Sequence, residues 1–190
     1  MTMKPIAFPH TIENHLGEKL VFRQLVRENG QDKLLVENFL TPGAGPVMHV
    51  HFQQDEGLTV KRGRMGYQVL GEEPNYVEAG ESVTFLRGTP HRFWNAGDDE
   101  LNCEGWLQPA NSVAYFLDAL YAAVNKSGKE APEMFDGAYL LTRYRSEYDL
   151  PEIPTFVKRV VMPITVQIGK LLGKYRHFDN APEPLPRLPR

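Results

Sequence analysis

The sequence predicts a mainly β architecture, a closed barrel or two-sheet jelly roll, followed by a run of α-helices. Between Lys19 and Leu107, short apolar-alternating runs are separated by turn residues at nearly regular intervals, as in antiparallel β proteins. After Pro109 the apolar residues recur instead at every third and fourth position, the pattern of a helix with one buried face. At 190 residues, with 42% hydrophobic and 24% charged composition, the chain is long enough to bury its own core.

The first element is a hairpin over Lys19 to Leu40, with Asn29-Gly30 as its turn. Thr41-Pro42-Gly43-Ala44-Gly45-Pro46 then interrupts the sheet. Further strands are expected around Leu58 to Val60, Met65 to Leu70, Tyr76 to Glu78, Ser82 to Leu86, His91 to Asn95 and Leu101 to Leu107. In the helical part, Asn111 or Ser112 caps a first helix that Gly128 ends. A second runs from near Asp136 through Tyr148 until Pro151 stops it. A third, Phe156 to Phe178, has Pro163 beginning or kinking it, and the proline-rich end APEPLPRLPR reads as an extended, unpacked tail. These segments divide the chain into a barrel domain at 1–108, a helical extension at 109–178 and a tail at 179–190.

The stretch Gly43 to Gly63 concentrates the chemistry. His49 and His51 are one residue apart, so in a strand their rings leave the same face, roughly 7 Å apart along the backbone. Two imidazoles so placed can converge on one ion, and Glu56 can add a harder oxygen ligand. His91 follows a turn marked by Gly88 and Pro90 and offers a fourth donor. A lone histidine in an apolar strand is ordinary core. Four donors at these spacings are not.

The spacing resembles that of the cupin superfamily. Gly43, His49, His51, Glu56 and Gly63 fit the first motif of that family without exception, and Gly80, Gly88, His91 and Asn95 fit the second, with Leu86 where the family usually has proline. The resemblance implies a cupin double-stranded β-helix in which His49, His51, Glu56 and His91 bind one divalent metal, with iron, manganese, nickel, copper, cobalt and zinc all occurring among relatives. It covers residues 19 to 108 closely and the remainder loosely. Small cupins with a helical C-terminal extension are the nearest likeness.

Alternation places Val47 on the face of His49, Leu58 and Val60 on that of Glu56, and Phe93 and Asn95 on that of His91, so these five are expected to line a mostly apolar pocket. Four protein ligands on an ion that prefers six leave two adjacent positions for substrate or dioxygen. By resemblance the expected activity is that of a small-molecule metalloenzyme of dioxygenase or oxidoreductase type. A Lewis-acid isomerase or decarboxylase, and a sensing or binding cupin without catalysis, are the alternatives; no catalytic residue beyond the ligands declares itself.

A net charge of −3 and a pI near 6.1 give no footprint for nucleic acid. Cys103 is the only cysteine, so no intrachain disulfide forms. The N-terminus lacks the apolar core of a signal peptide, and cytoplasmic residence is the default. Surplus apolar surface on the N-terminal hairpin and the C-terminal helices points to a homodimer. In the third helix, Val161, Ile164, Ile168 and Leu172 lie on one apolar stripe flanked by Lys158, Arg159, Lys170 and Lys174. Docking of that stripe on the barrel or on the partner in a dimer is expected, with burial of those four residues; peripheral membrane contact is the less favoured reading.

Overall fold

Asn29 and Gly30, with φ of 53° and 77°, close the hairpin on which the larger sheet is built, both residues in the left-handed region that a tight hairpin turn demands. A computed structural model of the chain describes residues 6–186. The first five residues, part of the stretch read as lacking a signal peptide, and the last four, the end of the proline-rich tail, lie outside the described residues.

The strands are β1 (His10–Glu13), β2 (Glu18–Glu28), β3 (Gln31–Leu40), β4 (Val50–His51), β5 (Asp55–Arg62), β6 (Arg64–Val69), β7 (Asn75–Glu78), β8 (Ser82–Phe85), β9 (His91–Asn95) and β10 (Leu101–Gln108). A six-stranded antiparallel sheet has the order β1-β2-β3-β10-β5-β8, and β7-β6-β9 forms a second, three-stranded sheet. Gly63, at φ 90°, turns β5 into β6 and so passes the chain from one sheet to the other. Strand β1, absent from the sequence reading, pairs with β2 from His10↔Phe22 to Glu13↔Lys19. This is the cupin double-stranded β-helix followed by C-terminal helices.

Alternation is visible in burial. Leu101, Cys103, Gly105 and Leu107 of β10 are buried while their neighbours are not, as expected for a strand with one face on the core. One apolar cluster, around Leu40, Leu58, Val60, Met65, Phe85, Phe93, Leu101 and Cys103, fills the barrel. Desolvation there pushes the Cys103 thiol up to about 12.

The second cluster crosses residue 108. Phe22, Leu34 and Val36 of the sheet meet Phe116, Leu140, Tyr144, Tyr148, Val166 and Phe178 of the extension in one continuous core. The helices are α1 (Val113–Ser127), ended by Gly128, α2 (Met134–Arg143) and α3 (Met162–Leu171). A π-helical turn, Val157–Val161, leads into α3, with Pro163 in the first turn of that helix. The Met162 N–H bonds the Val157 carbonyl, five residues back, just before proline removes the next donor.

Three expectations need correction. Tyr148 is not helical: α2 stops at Arg143, and Tyr148–Asp149 is a strand, β11, paired antiparallel with β4. The proline-rich end is extended but not unpacked, because Arg143 donates to the Ala181 and Pro182 carbonyls, the Tyr144 hydroxyl to that of Pro182, and Gln53 to that of Pro186. Lastly, the chain's own barrel does not cover the stripe: in the single chain Val161, Ile164, Ile168 and Leu172 are exposed, Ile164 at 55% and Leu172 at 61%. Helix α3 packs on the chain through Val166 and Gly169 instead. No helix among the described residues is long and apolar enough to cross a membrane.

Candidate metal centre

The predicted ligands come from both sheets. His49 lies just before β4 and is bridged to His91 by two backbone hydrogen bonds, His49 N–H to the His91 carbonyl at 2.9 Å and the reverse at 2.8 Å. His51 ends β4, Glu56 is on β5 and His91 opens β9. One ligand atom from each of the four lies within 4.8 Å of the others. Gly88, at φ 84°, donates its N–H to the His51 carbonyl at 2.7 Å and sets the turn that returns the chain to His91. Leu86, in the place of the motif proline, has an exposed side chain, and its carbonyl accepts from the Thr89 N–H within this turn.

The three Nε2 atoms converge on one oxygen. They stand 3.9 Å (His49), 3.3 Å (His51) and 3.1 Å (His91) from Glu56 Oε2. His49 Nδ1 is 2.8 Å from the Val47 carbonyl, and His91 Nδ1 is 2.8 Å from the Thr89 carbonyl. A carbonyl only accepts, so Nδ1 carries the proton in both rings. In the neutral ring Nε2 then presents its lone pair to the carboxylate. Two such groups face each other favourably only with a proton or a cation between them.

Burial would raise the Glu56 carboxyl, but the three imidazoles gathered around its Oε2 outweigh it and hold the group well below the usual carboxylate range. For His51, burial wins over the attraction of Glu56 and lowers its pKa, favouring the neutral ring that a metal needs. An ionised carboxylate among three imidazoles, two of them held with the Nε2 lone pair inward, is a donor set that fits a divalent transition metal.

Of the five expected pocket residues, Leu58, Val60 and Phe93 lie in the barrel cluster. Val47 is 60% exposed and contributes its carbonyl to His49. Asn95 commits its side chain to a turn, donating to the Leu40 and Asp99 carbonyls and accepting from Gly97 N–H.

Two aromatic neighbours were not anticipated. Phe85 stacks on His91, with centroids 3.9 Å apart and planes at 7°. It sits opposite Glu56 in the β5–β8 pairing, a relation that knowledge of the strand partners would have revealed. Tyr148, from the extension, meets His51 edge-on at 5.4 Å and is its cross-strand partner. Its hydroxyl shares a hydrogen bond with Ser112 Oγ, which donates to the fully buried Glu147. Gln54, Asn111 and the Leu185 N–H also donate to Glu147, so one carboxylate ties barrel, helices and tail together behind the site.

The fold thus brings three histidines and a glutamate into one cluster that could hold a divalent metal. Residues 39–103 match the family described as "Cupin domain". It is 33% identical over 76 residues to the oxidoreductase iacF of Pestalotiopsis fici, 39% of this chain and 37% of that protein. With the probable oxidoreductase virH of Hypocrea virens it shares 29% identity over 90 residues, 46% and 40% of the two chains. The chain thus spans about two fifths of the length of these relatives. Among solved structures, an uncharacterised protein with a double-stranded β-helix domain from Klebsiella pneumoniae is 21% identical, covering 57% of this chain and 84% of that one, at a TM-score of 0.41.

Proposed function

We propose that this protein is a metal-dependent oxidoreductase of the dioxygenase kind, acting on a small molecule at a divalent ion held by His49, His51, Glu56 and His91. The observation that carries it is the convergence of three imidazole Nε2 atoms on Glu56 Oε2 within a buried site. Two curated relatives named as oxidoreductases support the reaction class. The metal, when bound, would supply Lewis acidity and, if redox-active, the electrons for reaction with dioxygen. The chain's own residues orient and insulate. The Val47 and Thr89 carbonyls fix the rings of His49 and His91. Phe85 and Tyr148 wall off His91 and His51 from water, which strengthens electrostatic effects at the centre. His49 is the most accessible ligand, so substrate approaches from its side.

Elemental analysis of the full chain purified without added metal tests this reading. About one equivalent of iron, manganese, copper or nickel per chain is expected, dropping several-fold in His91→Ala with the fold retained. Stoichiometric zinc would instead favour Lewis-acid chemistry. No transition metal in the wild type, or undiminished metal in all three single His→Ala variants, would remove the proposal in favour of a binding module.

A further inference from the structure

The surface left open by α3 is not neutral apolar surface. Phe156, Val160, Val161, Ile164, Ile168, Leu171 and Leu172 are exposed along the π-helical turn and α3, with Leu171 at 88%. Between Ile153 and Phe178 the chain has five Lys and Arg and no Asp or Glu, so against a total of −3 this segment carries +5 and the rest −8. Asp149 neutralises Lys158, with Nζ to Oδ2 at 2.8 Å. Arg159, Lys170, Lys174 and Arg176 form no ion pair among the described residues.

This asymmetry bears on what covers the stripe. A second copy related by a two-fold axis would place the patch against itself and set one basic rim on another. An anionic bilayer meets both demands, taking the apolar side chains below its headgroups and the basic rim at its phosphates. Beside the start of the stripe lies a cleft of about 790 Å³, lined by Arg145, Arg159 and the Lys158–Asp149 ion pair and by the hydroxyl-bearing Thr142, Ser146 and Thr155. Arg145 makes no ion pair among the described residues, and Thr142 Oγ1 is buried without a hydrogen-bond partner. Such a cleft suits a headgroup phosphate.

We propose that residues 156–172 lie in the plane of an anionic phospholipid surface, apolar stripe inward, and hold the barrel against it. The proposal is independent of the metal. The helix is a peripheral anchor and crosses nothing. Charge segregation lets a chain of negative total charge bind a negative surface, because at physiological salt interactions beyond ~8 Å are largely screened and the acidic remainder is held away from the lipid.

Co-sedimentation of the full chain with phosphatidylcholine vesicles, with and without about one-third phosphatidylserine, tests it. Binding to the mixed vesicles is expected, at least about tenfold stronger than to neutral ones, and falling about tenfold between roughly 0.05 and 0.5 M salt. Leu171→Glu and Ile168→Glu alter exposed positions, so they should abolish binding without moving the unfolding midpoint. Lys170→Glu with Lys174→Glu should erase the preference for phosphatidylserine. Absence of binding to either vesicle, or equal salt-independent binding to both, would overturn the proposal. So would sedimentation velocity showing a dimer that Leu171→Glu converts to monomer, which would assign the stripe to a second copy.

Discussion

Helices α1 and α3 look alike as sequence and behave differently as structure. Each has an apolar stripe at helical spacing, yet α1 buries Val113, Phe116, Ala123 and Val124, the first two in the shared core, while α3 buries only Val166 and Gly169 and leaves its wider stripe outside. An amphipathic pattern states that a face must leave water, not what receives it. The charges carry the second part of the message. Helix α1 mixes Asp118 with Lys126, and Asp118 pairs with His10 of β1, whereas the α3 segment carries one sign only.

The sharpest test of the contrast is Phe116→Ala in α1. Phe116 is buried and stacks on Tyr148 at 4.3 Å, so its removal should cost about 3–5 kcal/mol in urea unfolding. A loss under about 1 kcal/mol would mean that the extension is not part of the core and that the two helices do not differ. Next comes Glu147→Ala, which strands the buried donors of Gln54 and Ser112 and frees the exposed Asn111, and should cost about 3 kcal/mol. Because Tyr148 then loses its support, the metal content of the purified variant should fall too; unchanged metal would separate the network from the site. Smallest is the comparison within α3 itself. Val166→Ala, on the inward face, should cost about 1–2 kcal/mol, and Leu171→Ala, on the outward face, less than about 0.5. Equal losses would show that the stripe is covered in solution.

The barrel and all four candidate ligands were legible because alternation, turn residues and motif spacing are local signals, read within about ten residues of one another. The helical extension was legible as helices but not in its role. Tyr148 shares the apolar spacing of α2 and reads as its continuation, yet its conformation is set by pairing with His51, a partner in another part of the chain. The proline-rich tail reads as unpacked because proline lacks an N–H. What docks it are chiefly its carbonyls, which accept from Arg143, Tyr144 and Gln53, together with the Leu185 N–H, and composition does not report acceptors. The docking of the α3 stripe, expected from its width, is refused by the chain's own core, which is already closed by Val166, Tyr175 and Phe178.

The pairing of β4 with β11 also orders events in time. A chain leaves the ribosome N-terminus first, at roughly 5–20 residues per second, so the last candidate ligand, His91, emerges several seconds before the strand that backs His51. During that interval the four donors exist without Tyr148 behind them or Glu147 to knit the loops. The finished centre is therefore a product of the later part of the chain. Capture of a metal with the complete surroundings of the site must wait until the helical extension has been made.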